Sequence, residues 1–159
     1  MARYDIEEDE YELDGARFAL VLARFNGEVV TRLRDGALET LKRHGVADAD
    51  VDVVAVPGAF EIPFMAKRMA SSGRYEAVIT LGAVVRGGTP HFDYVAGECT
   101  RGIADASRET GVPVIFGVLT TDDMDQALDR AGGAEGNKGS EAAIAAMDLV
   151  ATLRRLEAK

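Results

Sequence analysis

Residues 81–98 read LGAVVRGGTPHFDYVAGE and hold three local patterns in succession. An apolar run ends at residues 82–85, glycines and a proline then favour a loop, and a helical pattern begins near Asp93. This order predicts a strand, a loop and a helix, with His91 in the middle of the loop. Open α/β sheets bind ligands in the crevice beyond the carboxyl ends of their strands. The loop is therefore the first candidate for a functional site.

The same alternation of apolar strand, turn and amphipathic helix recurs along the chain. The predicted strands are residues 18–23, 51–56, 77–81 and 114–119. The predicted helices cover approximately residues 26–45, 63–73, 94–110, 120–130 and 138–156. Strands that alternate with helices imply right-handed crossovers and a parallel sheet covered on both faces. The sequence thus predicts an α/β fold, a flavodoxin-like three-layer α/β/α sandwich with a four-stranded parallel sheet.

Polar residues mark two of the predicted helix starts. Asn26 offers an N-cap for the first helix, because its side-chain oxygen can accept a hydrogen bond from a backbone N–H of the first turn. Thr120, with Asp123 three residues later, resembles a capping box for the fourth helix.

Composition is typical of one globular domain, expected to span residues 15–159. The chain has 159 residues, of which 47% are hydrophobic and 28% charged, enough for a sizeable core. The apolar runs are short, and acidic residues rather than an apolar signal core follow Met1. We therefore expect neither a membrane span nor export, and the cytoplasm is the expected location. Cys99, the single cysteine, cannot form an internal disulfide.

A predicted acidic arm covers residues 1–14. Seven carboxylates lie at positions 5–14 with no Lys or Arg among them, and the chain has a net charge of -9. This charge would repel nucleic acid. The composition favours a solvated, mobile arm, while the two-residue rhythm of Ile6, Tyr11 and Leu13 suits a strand added to a sheet edge.

The counts and motifs argue against a bound metal or cofactor. The two histidines, His44 and His91, are far apart in sequence and lack neighbours at ligand spacing. The segment GGAEGNKGS at residues 132–140 fails as a phosphate-binding P-loop, because Asn137 interrupts the Gly-Lys pair and a helix precedes it. No Gly-x-Gly-x-x-Gly motif follows the first strand. We expect no metal, no nucleoside triphosphate and no dinucleotide.

Several side chains follow predicted strands and should share one edge of the sheet. Phe25 could belong to the core or form a stacking platform, and Glu61 could cap its helix or hold a ligand. His91 is the strongest candidate for chemistry, because imidazoles, with a reference pKa of about 6.5, exchange protons near neutral pH. His44 lies late in a helix and is expected to meet the negative helix end.

Six segments in this order resemble the lumazine synthase family. They are ARFN at residues 23–26, VPGAFEIP at 56–63, GAVVRGGTPHF at 82–92, GVLTT at 117–121, DRAG at 129–132 and GNKG at 136–139. No single segment would suffice, but six in the right order are highly specific. The resemblance covers the chain from about residue 17 to its C-terminus and leaves out the acidic arm.

The resemblance implies a 6,7-dimethyl-8-ribityllumazine synthase of riboflavin synthesis. Such an enzyme condenses 5-amino-6-(D-ribitylamino)uracil with 3,4-dihydroxy-2-butanone 4-phosphate and releases phosphate and water. Schiff-base condensation, phosphate elimination and ring closure need proton transfer and positioning, but no redox centre. The implied ligands are therefore two small-molecule substrates, and no cofactor is implied.

The resemblance also implies roles for individual residues. His91 is the proton-transfer residue, and Phe25 stacks on the pyrimidine. Arg130 holds phosphate with help from Lys138, and in this family Arg130 and Phe116 come from a neighbouring subunit. The implied substrate-binding residues are Phe25, Asn26, Ala59, Phe60, Glu61, Ala83, Val84, Val85, Gly88, Thr89, Phe116, Arg130 and Lys138.

Two loop residues are implied to meet the phosphate-bearing substrate, Gly88 and Thr89. Thr89, beside a helix start, suits an anion. Many relatives carry Glu where this chain has Gly88, so any contact of that side chain is absent here.

A shared site implies that the monomer is not the active unit. The family's minimal unit is a ring of five subunits, and the compact link before the last helix favours an icosahedral shell of pentamers. Riboflavin synthase is a candidate partner of such an assembly. Two other classes stay open. A flavodoxin-like flavin carrier would need a Ser/Thr-rich phosphate loop after the first strand, and a structural shell protein would need no catalytic residues.

Overall fold

Four apolar segments pair into one parallel sheet in the computed structural model, which describes residues 10–158. The elements are β1 (Phe18–Ala23), α1 (Gly27–Arg43), β2 (Val51–Val56), α2 (Ile62–Ala70), β3 (Ala77–Val85), α3 (His91–Thr110), β4 (Val114–Thr121), α4 (Met124–Asp129), β5 (Ala131–Gly133), β6 (Gly136–Asn137) and α5 (Lys138–Glu157). The strand order in the sheet is β2-β1-β3-β4, and β5 and β6 form a separate antiparallel hairpin. The predicted α/β class and four-stranded parallel sheet are confirmed.

Two apolar clusters lie on opposite faces of the sheet. Successive residues of a strand point to opposite faces, so Leu20 packs in one cluster with α1 and α5, and Val21 packs in the other with α2 and α3. All six residues of β1 are buried, as are eight of the nine residues of β3. Continuously apolar strands are expected where helices cover both faces. The predicted three-layer sandwich is therefore confirmed.

β3 and β4 are longer than the sequence pattern predicts. The predicted end of β3 at Leu81 is wrong, because the strand continues to Val85, and β4 likewise continues to Thr121. The register pairs Val85 with Thr121, and the Arg86 N–H donates to the Thr121 carbonyl over 2.8 Å. Each strand supplies backbone partners that let the other continue.

Two helix starts also differ from the prediction. α3 begins at His91, because Pro90, with its fixed φ, suits the position before the first turn. His91 therefore lies in the first helical turn and not in the middle of a loop. Thr120 lies inside β4, so the predicted capping box is wrong. Asp123 caps α4 instead, accepting a hydrogen bond from the Gln126 N–H over 2.8 Å.

The glycine-rich link before α5 forms the hairpin of β5 and β6, which the sequence pattern did not predict. Gly132 and Gly136 have φ angles of 99° and 81°, which other residues rarely adopt. Asn137 ends the hairpin and caps α5, because its Oδ1 accepts hydrogen bonds from the Gly139 and Ser140 N–H groups over 2.8 and 3.1 Å.

The N-terminal segment is described only from residue 10, so Ile6 lies outside the described residues. Tyr11 and Leu13 are half-buried against the cluster between the sheet, α1 and α5. The Tyr11 ring lies 5.4 Å from the ring of His44, which is the C-cap of α1. Residues 10–14 are in no strand of the single chain. The boundary of a separate arm, and its role as an added strand, stay predictions.

Close contact between α1 and α5 requires a glycine. A methyl group at Gly139 would lie 1.9 Å from the Leu33 carbonyl oxygen. The Asn137 side-chain amide donates to the Arg32 carbonyl over 3.1 Å, and a methyl group at Gly36 would lie 2.6 Å from that side chain. The first turn of α5 thus rests directly on the backbone of α1.

Gly139→Ala should lower the free energy of unfolding by about 1–3 kcal/mol, the usual cost of overpacking, because the α1 backbone must move. Gly97→Ala in α3 is the matched control, since a methyl group there would meet no heavy atom within 4 Å. The control should be neutral or stabilising by about 0.5–1 kcal/mol, because Ala is the better helix former. Urea unfolding measures both values, and equal effects would contradict the packing argument.

Candidate active site

A cleft opens at the carboxyl ends of β1, β2 and β3, on the edge where open α/β sheets bind ligands. Its volume of about 680 Å³ is in the range of small-molecule sites. Aromatic and aliphatic side chains form most of the wall. The lining residues are Phe25, Asn26, Pro57, Gly58, Ala59, Phe60, Glu61, Ala83, Val84, Val85, Gly87, Thr89, His91, Phe92, Tyr94 and Val95.

Asn26 joins the end of β1 to the end of β3. Its backbone is left-handed, with φ 59° and ψ 45°, a conformation that asparagine tolerates better than most side chains. Its Nδ2–H donates to the Ala83 carbonyl over 2.8 Å, and its side chain makes no capping hydrogen bond to α1. The predicted side-chain cap is therefore wrong. The residue occupies the N-cap position, but its side chain fixes the cleft wall.

Phe25 and Phe60 place exposed rings at the mouth of the cleft. Phe25 is 71% exposed and Phe60 57%, so neither ring belongs to the core of the single chain. The Phe25 N–H donates to the Pro57 carbonyl over 3.2 Å, which ties the end of β1 to the end of β2. A fixed backbone with an exposed ring suits stacking on a flat ligand.

Glu61 lies at the cleft without capping the helix that follows it. Residues 59–61 form one turn of 3-10 helix, and α2 begins at Ile62 with Pro63 in its first turn. The Glu61 side chain makes no capping hydrogen bond, so the interpretation of Glu61 as a helix cap is wrong. Its half-buried carboxylate lines the cleft, where it can accept hydrogen bonds from a ligand.

His91 is exposed at the first position of α3 and lines the cleft. Its backbone N–H lies 3.5 Å from the Thr89 hydroxyl, a long hydrogen bond. The first N–H groups of a helix have no partner within the helix, and the helix dipole favours an anion there. An imidazole, a hydroxyl and a helix N-terminus, which favours negative charge, therefore share one part of the cleft.

Some lining residues were not among those predicted from the sequence. The cleft is lined, in addition to the predicted residues, by Pro57, Gly58, Gly87, Phe92, Tyr94 and Val95. The Tyr94 ring is 72% exposed, three residues after His91. Residues three apart share a helix face, so this spacing would have found Tyr94 had the helix start been known.

Four of the residues implied by the resemblance do not line the cleft, namely Gly88, Phe116, Arg130 and Lys138. Phe116 lies on the edge strand β4 and is 45% exposed. Arg130 follows α4 and Lys138 begins α5, and the Lys138 N–H donates to the Arg130 carbonyl over 2.9 Å. The Lys138 ammonium lies 2.8 Å from the Glu141 carboxylate. The Arg130 Nη1 donates to the Gln126 carbonyl over 3.0 Å. The chain thus has a cleft and, apart from it, two basic residues with hydrogen-bonded backbones, Arg130 and Lys138, which we call the basic pair.

Charged and nucleophilic groups are sparse at the cleft. Among the described residues that line it, Glu61 is the one carboxylate and none is Lys or Arg. Cys99 is buried between the sheet, α2 and α3, where burial raises the pKa of its thiol to about 12. Such a thiol stays protonated at neutral pH and is not a nucleophile.

Neither a metal cluster nor a membrane-crossing helix is found in residues 10–158. No three His, Cys, Asp or Glu side chains there lie close enough to hold a metal ion. No helix there is both long and apolar enough to cross a membrane.

The fold and the position of the cleft are those of an α/β domain that binds a small molecule beyond the ends of parallel strands. Comparison with known families identifies the particular family. A family model described as 6,7-dimethyl-8-ribityllumazine synthase matches residues 15–154, and the chain belongs to this family. Membership makes the chain an enzyme, a transferase of riboflavin biosynthesis, and confirms the resemblance carried by the six segments.

The variants Asn26→Gly and Asn26→Ala should distinguish two contributions to stability, the cost of a positive φ and the loss of the hydrogen bond to Ala83. Both variants lose the contact with Ala83, at a net cost of about 1 kcal/mol. Ala must also adopt a positive φ at a cost of about 1–2 kcal/mol, whereas Gly loses only about 0.5–1 kcal/mol of chain entropy. Urea unfolding should therefore find Asn26→Ala the less stable variant. An Asn26→Ala protein as stable as Asn26→Gly would show that the backbone there is unstrained.

Proposed function

We propose that this chain condenses 5-amino-6-(D-ribitylamino)uracil with 3,4-dihydroxy-2-butanone 4-phosphate to give 6,7-dimethyl-8-ribityllumazine, phosphate and water. The observation that carries the proposal is that Phe25, Glu61 and His91 follow three neighbouring strands and line one cleft. Family membership supplies the general class of reaction. The cleft offers a stacking surface, a hydrogen-bond acceptor and a proton-exchanging ring, which this condensation requires.

The end of β3 supports a pyrimidine site. β3 pairs with β1 only as far as Leu81, whose partner is Leu22, yet it continues to Val85. In residues 82–85, the backbone N–H and C=O groups that face the β1 side therefore have no partner in the β1 ladder. The Asn26 side chain donates to one of them, the carbonyl of Ala83. Buried backbone groups need hydrogen-bond partners, and the N–H and C=O edge of a uracil can supply them. The Phe25 ring would cover the face of the same pyrimidine.

The phosphate of the second substrate needs cations that the cleft does not hold. Thr89 and the start of α3 provide neutral donors, but the described lining residues include no Lys or Arg. Arg130 and Lys138 lie together elsewhere, at the start of α5. We place these two cations, supplied by a second copy of the chain, at the mouth of the cleft. A planar guanidinium suits bidentate binding of phosphate.

A ring of copies is the assembly that this arrangement favours. The cleft and the basic pair are different surfaces of the chain, so copies can join head-to-tail, with each cleft meeting the cations of the next copy. Head-to-tail contacts close into a ring where the rotation between copies allows it. Exposed rings at the cleft, including Phe60 and Tyr94, would be covered by the same contact. We propose a homopentamer, its assembly into an icosahedral shell, and association with riboflavin synthase as the further steps.

His91 would serve the proton transfers of the reaction. The pyrimidine amine attacks the ketone and an imine forms with loss of water. Phosphate then leaves, the product of that step tautomerises, and the ribitylamino nitrogen closes the ring with loss of water. Water and phosphate leave with a proton added to oxygen, the amines lose protons as they form bonds, and the tautomerisation moves a proton from oxygen to carbon; an imidazole can donate or accept a proton in each. Holding two substrates together contributes the larger part of the rate, because a bimolecular encounter becomes intramolecular.

Incubation of the protein with both substrates should produce the absorbance and fluorescence of the lumazine, with equimolar release of phosphate.

His91→Ala should slow turnover by about tenfold to a few hundredfold, near the lower end of the usual 10²–10⁴-fold contribution of a general acid or base, because substrate positioning survives. His44→Ala is the matched control, since His44 lies at the end of α1. No product from the unaltered chain would refute the proposed reaction, and unchanged turnover of His91→Ala would remove His91 from it.

Mixing two inactive variants should restore activity if the site is shared. Phe25→Asp damages the cleft and Arg130→Ala removes the phosphate cation, so a site built from the intact half of each chain carries no lesion. The two chains are unfolded together, refolded, and assayed for lumazine formation, with each variant refolded alone as the control. Native mass spectrometry must show mixed assemblies first. Mixed assemblies without activity would mean that every site keeps one lesion, as in a site built within one chain.

A further inference from the structure

We infer that Arg86 is a positioning residue that holds the start of α3, and thereby His91, at the cleft. The inference rests on the proposed function, because it assigns His91 a task. The Arg86 guanidinium lies 4.4 Å from the centre of the Phe92 ring. Its Nε donates to the Asp122 carboxylate over 3.1 Å, and its Nη1 lies 3.7 Å from the Asp93 carboxylate. Two of these three contacts are with the residues that directly follow His91.

Arg86 is itself fixed to the sheet. Its backbone N–H donates to the Thr121 carbonyl over 2.8 Å, which continues the ladder between β3 and β4 beyond the last paired residues. Its side chain then reaches Asp122, the next residue of the β4 side, and the first turn of α3. Arg86 therefore connects the sheet edge to the helix that carries His91.

The loop between Arg86 and His91 contains two glycines with open space beside them. A methyl group at Gly87 or at Gly88 would meet no heavy atom within 4 Å. Glycines also leave the chain the widest choice of conformations. The buried residues of α3, including Cys99 and Ile103, fix the body of the helix. At its first turn Phe92 packs against the same cluster and against Arg86, and Asp93 faces Arg86.

The arrangement orients more than it stabilises. The side chains of Arg86, Asp93 and Asp122 are 49%, 67% and 69% exposed, and exposed ion pairs contribute little to folding. One planar guanidinium that stacks on a ring while it meets two carboxylates nevertheless has few allowed orientations. Because the fork already contacts two carboxylates and Arg86 does not line the cleft, it acts through His91 rather than on a substrate.

Turnover in a double-mutant cycle tests this role. Arg86→Met should lower kcat by about tenfold and leave both KM values within about twofold, because displaced reacting groups cost rate more than binding. In a His91→Ala background the same change should alter kcat by less than about twofold, since the group it positions is gone. Arg86→Lys, which keeps the charge but not the planar fork, should fall between. Arg101→Met is the matched control on α3, because among residues 10–158 the ion-pair partner of Arg101 is Glu98 on the same helix.

Hydrogen–deuterium exchange gives a measurement that needs no reaction. Amides of residues 88–96 should exchange faster in Arg86→Met than in the unaltered protein, and Arg101→Met should not change them. Should Arg86→Met fail to fold, Asp122→Ala, which removes the carboxylate that accepts from the Arg86 Nε, takes its place in both experiments. Absence of product from the unaltered protein would refute the proposed function, while exchange would still test the clamp.

Three results would overturn the inference. A tenfold loss that recurs in the His91→Ala background would show that Arg86 acts independently of His91. A raised KM with unchanged kcat would make Arg86 a substrate-binding residue. Unchanged exchange at residues 88–96 would show that α3 keeps its place without the clamp.

Discussion

β1 pairs with β2 on one side and with β3 on the other, and this pairing brings the residues that follow the three strands to one cleft. In a parallel sheet the carboxyl ends of neighbouring strands meet at one edge, so residues far apart in sequence become neighbours there. Ala23 is level with Val56 at the ends of β1 and β2, while β3 continues past its last partner in β1. The step left by β3 is the inner wall of the cleft, and the Asn26 side chain crosses it to reach Ala83.

The parts of the fold that could be predicted from the sequence are those set by local chemistry. The predicted limits of β1 and β2 coincide with the observed Phe18–Ala23 and Val51–Val56, because each apolar run is bounded by polar or turn-forming residues. α1 and α3 likewise end shortly before glycines, Gly45 and Gly111, which both have a positive φ. Buried strands and amphipathic helices alternate strongly enough to require a parallel sheet with two covered faces.

The rest depends on partners that are distant in sequence. β3 continues to Val85 because β4 runs beside it. The apolar run at residues 82–85 allows a longer strand, but it does not show which strand pairs with it. Asn26 is a residue type that commonly caps helices, but its side-chain amide donates a hydrogen bond to the carbonyl of Ala83, 57 residues later. The same limit applies at the cleft, where strand ends predict Phe25, Glu61 and His91, while Tyr94 becomes visible only when α3 is known to begin at His91.

The separation between the cleft and its expected cations connects assembly to catalysis. Phe25, Glu61 and His91 lie within one chain's cleft, whereas Arg130 and Lys138 lie together at the start of α5. In the proposed ring the phosphate-bearing substrate contacts two copies at once, so it binds the assembled state better than the separate chain. The two equilibria are then linked. Assembly raises the affinity for that substrate by a certain factor, and the bound substrate raises the equilibrium constant of assembly by the same factor. In the proposed site the pyrimidine contacts mainly the strand ends of one chain and meets no cation of the neighbour, so its binding should be coupled to assembly less strongly.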